Sequence, residues 1–313
     1  MYSIITLAIL VPIVMLALFY VDYAGVESRS LVTNVVGKEL ANYAESIQQD
    51  FPRALLVSGR SSVIACVSHV VGSGVPADDA ALRIRELALN GTFMGEPSEV
   101  MGGDANNNSM TNWTRRLEEK GRAYGLAVEA EVYYLNVTPL DSRRIYFEAN
   151  ISVNARSADY NVNFSRVYPA SAVVDVEGIE DPLLPLNTYG AVQRLVTMNA
   201  TDVFGVEAFD AAAGSGWYWP SADGPSFLDR LEGRTYTSEK YASQSAATIG
   251  LQSVVDIGRL VSQELPVTLN KSVVDSLYFN ETAPVARKVN GSSYWWAYLD
   301  DATAEALGVS LEP

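Results

Sequence analysis

Apolar and polar positions follow three successive patterns along this chain. From Met1 to Val21, "MYSIITLAILVPIVMLALFYV", apolar residues fill almost every position, and the first charged residue is Asp22. Beyond it Val32, Val36, Leu40, Tyr43, Ile47, Phe51 and Leu55 recur every three or four residues, with Lys38, Glu39, Asn42, Glu45 and Gln48 between them. That is one apolar stripe on a 3.6-residue helix. Together the two patterns predict a single helix over about residues 2–50, apolar all round and then amphipathic, which at ~1.5 Å per residue is ~70 Å long. Pro12 is expected to kink it, because proline lacks the backbone donor and crowds the carbonyl of Ala8. From Leu126 the period becomes two: "AVEAEVYYLNV", "RRIYFEANISVN" and "YNVNFSRVYPASAVVDVEG" alternate and are rich in Val, Ile and Tyr, as strands require.

Punctuation residues place the other elements. Asp50 as N-cap and Pro52 in the first turn predict a helix restart that stops at Gly72 and Gly74. Asp78 or Asp79 should cap "AALRIRELAL", with Gly91 ending it. A Gly- and Asn-rich loop leads to a helix in "TNWTRRLEEKGRAYG", with Trp113, Leu117 and Tyr124 near one face. "TPLDS" joins the first two strands as an antiparallel hairpin, and "DPLLPLNTYG" is a Pro-rich crossing. The remainder reads as an aromatic loop "GSGWYWPSADGPS", a short helix "FLDRLEG", a helical "AATIGLQSVVDIGRLV", strands at "SVVDSLYF" and "SYWWAYLD", and a capped helix "DDATAEALG". The fold class is α+β: an apolar helix over 1–50, a helical part of a head over 51–125, an antiparallel β part over 126–180, and a mixed α/β part over 181–313.

The opening run does not read as an export signal. Such a signal carries a basic region before its apolar stretch and a small-residue cleavage site after it, whereas the first Arg here is Arg29. About 21 residues at ~1.5 Å each reach ~32 Å, enough to cross a hydrocarbon core. The segment therefore either spans a bilayer or is buried in something equally apolar.

Charge and composition narrow the partners. Asp and Glu number 37 against 22 Lys and Arg, with no basic cluster, which argues against polyanion partners, so nucleic acid is not expected. A single cysteine, Cys66, and a single histidine, His69, leave no internal disulfide and no His/Cys metal site. Asn-x-Ser/Thr triplets, the acceptors of N-glycans, occur at Asn90, Asn107, Asn112, Asn136, Asn150, Asn163, Asn199, Asn270, Asn280 and Asn290, which is 10 of 17 Asn residues. Ser and Thr fill about one position in seven, so chance predicts roughly two. None lies in the first ninety residues except Asn90 itself. This distribution points to a glycan-coated head outside the cell.

Candidate chemistry is sparse. Cys66 and His69 are three apart on a predicted helix and could touch, but "SSVIACVSHVV" is apolar and supplies no third orienting group, so core packing is the better reading. Gly72-Ser73-Gly74 and Gly214-Ser215-Gly216 lack an elbow pattern or a phosphate-loop Lys and read as turns. The pairs Asp78/Asp79 and Asp300/Asp301 each precede a helix, which favours capping over calcium binding. Trp217/Tyr218/Trp219 and Tyr294/Trp295/Trp296 could stack on sugars, but core filling and subunit contacts are favoured. No catalytic residues, metal ligands or cofactors other than N-linked glycans are expected, and the chain is not expected to be an enzyme.

The run from Met1 to about Phe51, apolar and then amphipathic ahead of a β-containing head, resembles archaeal type IV pilins and archaellum-like filament subunits. It covers roughly one sixth of the chain. The resemblance implies a chain whose leader has been removed, a membrane-embedded stage before assembly, and a final extracellular filament in which the apolar helices of identical subunits form the core and glycosylated heads the surface. It assigns the assembly contacts to Ile4, Ile5, Leu7, Ile9, Val11, Pro12, Val14, Leu16, Leu18 and Phe19. Where bacterial pilins carry an acid, this chain has Ile5, as archaeal subunits do in lacking that acid. The phrases "GIEDPLLPLNTYG" and "SVVDSLYF" resemble those of archaeal surface proteins of unknown function. The expected role is a filament subunit for adhesion or cell contact; the competing reading is a single-span, membrane-anchored surface glycoprotein that does not polymerise.

Overall fold

In the computed structural model, residues 2–102, 107–157, 162–198, 203–282 and 284–313 are described. Within the N-terminal helix, side chains are described for residues 15, 16 and 19 and from 35 onward. The fold is α+β: a long N-terminal helix, then a mixture of helices and small antiparallel sheets.

Helix α1 runs unbroken over Tyr2–Ser73. The expected restart at Asp50 does not occur, and Pro52 sits inside the helix. A proline there removes a donor at a cost of ~3 kcal/mol. The buried stripe continues on both sides of it, with Ile47 and Phe51 before and Leu55 after, so packing outweighs the lost bond. The expected stop is found, with Gly74 at φ +67 and its N–H on Val70 O at 3.0 Å.

The chain divides into two compact units. Unit one comprises Met1–Phe51, Thr114–Glu131 and Ile151–Tyr168, and unit two Pro52–Trp113, Val132–Asn150 and Pro169–Pro313. In unit one the core of α1 is Leu40, Tyr43, Ala44, Ile47 and Phe51, all buried, at the three- and four-residue spacing that puts them on one helix face. The Tyr43 hydroxyl donates to Leu117 O at 2.6 Å, which ties α1 to α3 (Met110–Ala123). Of the aromatic face expected on α3, Leu117 is buried while Tyr124, just past its end, is exposed. Tyr124 instead sets its ring 6.5 Å from that of Tyr43.

In unit two, α1 buries Leu55, Val63, Cys66 and Val70. Gly59 admits the ring of Phe147 against the helix, since a Cβ there would stand 3.2 Å from it. Helix α2 (Ala80–Asn90) is capped by Asp79, whose side chain accepts from Leu82 N, and closes on Gly91 in the left-handed region, as expected. Ser58 Oγ donates to Ala88 O at 2.8 Å and joins α1 to α2. A two-residue hairpin, β1 (Thr92–Phe93) with β2 (Glu96–Pro97), follows.

The largest sheet has the order β3 (Leu126–Pro139), β4 (Arg144–Ser157), β5 (Asn163–Asp175). The links between them are too short for a parallel crossover, so neighbours run antiparallel. The first turn closes with Leu140 N on Arg144 O at 2.8 Å. Along β4, Ile145, Phe147, Ala149, Ile151, Val153 and Ala155 are all buried, the period of two expected of a strand with one covered face.

The C-terminal half is built of short elements: α4 (Leu183–Asn187), α5 (Val206–Ser215), β6 (Tyr218–Pro220), α6 (Phe227–Leu231), α7 (Glu239–Ala242), β7 (Leu251–Ser253), α8 (Ile257–Ser262), α9 (Asp275–Tyr278), β8 (Arg287–Lys288), β9 (Tyr298–Leu299) and α10 (Asp301–Ala306). Several expectations fail here: the aromatic loop contains β6, and of "SYWWAYLD" only Tyr298–Leu299 is strand, with Trp295 and Trp296 in a turn. "AATIGLQSVVDIGRLV" is a strand and then a helix, because β7 pairs antiparallel with β6, Trp219 opposite Gln252, and the helix begins only at the Asp256 cap. "SVVDSLYF" is a helical turn, α9, and not a strand: Val274 makes only an isolated bridge to Val254, and the polar Asp275 and Ser276 next to it are both buried. The core around these pieces includes Phe209, Trp219, Val254, Ile257, Val274 and Trp296.

Candidate functional site

The apolar N-terminal helix is the first feature tied to a role. Of the ten residues assigned to assembly, the side chains of Ile4, Ile5, Leu7, Ile9, Val11, Pro12, Val14 and Leu18 lie outside the described residues. Leu16 and Phe19 are described and are 73% and 70% exposed, with Met15 beside them at 54%. Further along, Val35–Ser73 is also apolar and long enough to cross a membrane, but half of its most apolar window is buried in the protein. That later stretch spends its apolar face on the two cores, whereas the described part of the first stretch leaves its apolar side chains uncovered.

The glycan acceptors fall into distinct settings. Asn90, Asn163, Asn270 and Asn290 are exposed, and Asn107, Asn136, Asn150 and Asn280 are half-buried; Asn199 lies outside the described residues. At Asn280 the side-chain oxygen accepts from both Thr282 N and Thr282 Oγ1 at 3.0 Å. At Asn107 it accepts from Ser109 N at 3.2 Å and from the Ser109 hydroxyl. Asn112 differs: it is 8% exposed, in the first turn of α3, and its amide donates to Asn107 O at 2.6 Å.

Cys66 and His69 do not form a pair. Cys66 is fully buried, and burial pushes its thiol up to about 12. His69 is exposed and stacks on Phe93, with ring centroids 3.7 Å apart. The acidic pairs act as caps: Asp79 on α2 and Asp300 on α10, where Asp300 Oδ1 accepts from Thr303 N at 3.0 Å. Asp78 and Asp301 carry ion pairs to Arg83 and Arg287. Among the described residues no three His, Cys, Asp or Glu side chains converge as metal ligands would.

The strongest electrostatic feature was not singled out from sequence. Arg230, on α6, has no exposed surface and lies between two carboxylates that have none either: Asp181 Oδ2 at 2.8 Å from Nη1, and Asp275 Oδ2 at 2.9 Å from Nη2. Nη2 also donates to Leu251 O. Asp181 Oδ2 accepts from the Tyr218 hydroxyl at 2.8 Å and Oδ1 from Leu183 N at 3.0 Å. Asp275 Oδ2 takes Ser253 N and Oγ at 3.1 and 2.7 Å, and Oδ1 takes Ser276 N at 2.7 Å. All four carboxylate oxygens are thus satisfied, which is what makes a buried charge tolerable. Burial alone would depress the guanidinium, but the two carboxylates outweigh it and raise it. Burial pushes the Tyr218 phenol well up, so it remains a donor.

No protein-family model, curated protein or solved structure matches the chain. Its own geometry is therefore the ground for assigning a role.

Unit two also carries a cleft of about 600 Å³. Its lining includes the aromatic residues Phe204 and Trp219 and the polar residues Asp223, Gln252, Asp300 and Thr303. Asp300 is 5% exposed, and with Oδ1 spent on the cap its Oδ2 has no hydrogen-bond partner.

Proposed function

We propose that the chain is a structural subunit of an extracellular, N-glycosylated, type IV pilus-like filament, assembled through its N-terminal helix and serving adhesion or cell contact. One observation carries this reading: a single 72-residue helix opens with 20 uncharged residues, Tyr2 to Val21, and holds Met15, Leu16 and Phe19 largely exposed. Apolar surface left in water forfeits about 25 cal/mol per Å². Lipid removes that penalty before assembly, and the tails of identical subunits remove it afterwards. A contact between different faces of identical subunits propagates as a filament when its rotation does not close into a ring. The role is structural rather than enzymatic, and N-linked glycans on the head are the non-protein groups the chain would carry.

The test is a charge in the tail. Leu7→Asp or Val14→Asp should abolish filaments recovered by shearing and pelleting, while near-UV circular dichroism of the head is retained. Filaments at normal yield from either variant would overturn the proposal. Unaltered protein that leaves the membrane only with detergent, as a monomer, and never pellets without it would instead establish a single-span, membrane-anchored surface glycoprotein.

A further inference from the structure

We infer that the cleft in unit two is a binding site for a neutral sugar. Three properties of its lining select the ligand. First, none of the lining residues is Lys, Arg or His, while Asp223 and Asp300 are both carboxylates. A phosphorylated or carboxylated ligand would meet these negative charges with no compensating cation, so an anionic ligand is disfavoured. Second, the polar groups suit hydroxyls. Asp223 is exposed, and among the described residues its carboxylate makes no hydrogen bond or ion pair, its backbone N–H being engaged with Ser221 Oγ at 3.2 Å. Asp300 also lines the cleft, with its Oδ2 buried and without a hydrogen-bond partner among the described residues. Carboxylate oxygens accept from adjacent hydroxyls, and charge-assisted bonds of this kind are the stronger ones. The Gln252 amide donates to Ser276 Oγ at 2.9 Å, which fixes that side chain in the floor.

Third, the aromatic side is open. Phe204 is 69% exposed, an unusual place for a phenyl ring, and the ring lies flat against Gly308, where a Cβ would collide with it. Gly308 thus fixes the ring plane without covering it. Trp219 is buried, 6% exposed, and held by the ladder between β6 and β7, so Phe204 is the open ring. A sugar presents one face of C–H groups and a rim of hydroxyls, which fits a lining that combines an exposed phenyl ring with carboxylates. The volume of about 600 Å³ falls in the range of about 300–1,000 Å³ typical of small-ligand sites. Sugar binding would be a property of each head, separate from assembly, so it can be measured on the unassembled chain.

The experiment uses the full chain, kept monomeric in a zwitterionic, sugar-free detergent and titrated with glucose, galactose, mannose, N-acetylglucosamine and lactose. Choline and N-acetylneuraminic acid serve as a cationic and an anionic comparison. Binding is read by saturation-transfer NMR and by tryptophan fluorescence. At least one neutral sugar should bind with a Kd of about 1 mM or tighter. Asp223→Asn should weaken it about tenfold, and Phe204→Ala about threefold. Both side chains are exposed, so neither variant threatens folding. The inference is overturned if no neutral sugar binds up to about 10 mM, if the two variants bind like the unaltered chain, or if choline or N-acetylneuraminic acid binds in place of the neutral sugars. Failure here with filaments intact leaves the filament reading standing, and loss of filaments with sugar binding intact does the reverse.

Discussion

Arg230 and Asp181 meet at 2.8 Å with neither side chain reaching solvent. Asp275 holds the other guanidinium nitrogen, so one cation fastens α9 and the turn before α4 to α6. Removing the cation alone leaves two buried carboxylates without a counter-charge, a defect that costs about 3–5 kcal/mol. Arg230→Met should therefore destabilise the protein by that amount, measured by urea unfolding of the detergent-held chain. Adding Asp181→Asn and Asp275→Asn removes the stranded charges and should restore part of the loss. A triple variant less stable than Arg230→Met would refute this account.

Acid sensitivity follows from the first turn of α2. Hydrogen bonds from Arg83 Nε and Nη2, both 2.7 Å, hold the Asp78 carboxyl down at about 2 against an ordinary 3.8. Asp79 and Glu86 are lowered as well, although burial opposes both: Lys240 and Leu82 N hold the first, and Gly95 N, Arg83 and Thr92 the second. A folded-state value below the unfolded one contributes stability above the unfolded value and loses it as pH falls through the folded one. The Asp78 contribution is thus complete above about pH 4 and gone below about pH 2. Its carboxylate is half exposed, so solvent screening keeps the effect small. The unfolding midpoint of Asp78→Asn should fall less steeply than that of the unaltered chain across this window. Equal slopes would count against the argument.

The parts of the fold legible in sequence are those whose signal is local and repeated. The stripe from Leu40 to Phe51, the alternation of Ile145 to Ala155, and the caps at Asp79, Gly91 and Asp300 all carry their reasons within a few residues. Pro52 misled because its local penalty is repaid by burial on either side, which only tertiary packing reveals. "SVVDSLYF" misled for a related reason: its β-branched residues suggest a strand, but Asp275 is drawn into a buried ion pair with a residue 45 positions away. The phrases "GIEDPLLPLNTYG" and "SVVDSLYF" carry Asp181 and Asp275, the two ends of that network. Nothing in either phrase names Arg230 as the link. The cleft was half legible, since Trp219 stood out as an aromatic and Asp300 as a cap, while Phe204 carried no signal of its own.

Glycine positions give a paired test of packing. At Gly250 a Cβ would fall on the carbonyl oxygens of Ser221 and Gly224, and the backbone there accepts from Ser221 N at 3.0 Å. Gly250→Ala must push apart two backbone segments and should cost ~2 kcal/mol or more. Gly37, inside α1, has nothing within 4 Å of its would-be Cβ. Gly37→Ala removes a helix-interior glycine and should stabilise by about 0.5–1 kcal/mol. Thermal unfolding of both variants in detergent checks the pair, and shifts of the same sign would undo the reasoning.

Glycan occupancy should follow the setting of each acceptor nitrogen. A glycan on Asn112 would have to emerge from a side chain that is 8% exposed and whose amide donates to Asn107 O at 2.6 Å, a bond that survives only if the one remaining N–H stays on that carbonyl. Breaking a buried hydrogen bond and stranding its carbonyl costs about 1–3 kcal/mol, before any steric conflict with the first turn of α3. Asn270 and Asn290 are exposed and face no such loss. Asn280 is half-buried, but its oxygen already holds the Thr282 hydroxyl, which leaves the amide nitrogen as the outward group. Peptide mass spectrometry of the protein purified from its native cells should therefore find glycans at Asn270, Asn280 and Asn290, with Asn112 unmodified. A fully occupied Asn112 would show that α3 begins later in the glycosylated protein, and wholly unmodified acceptors would remove the glycan-coated head from the proposed function.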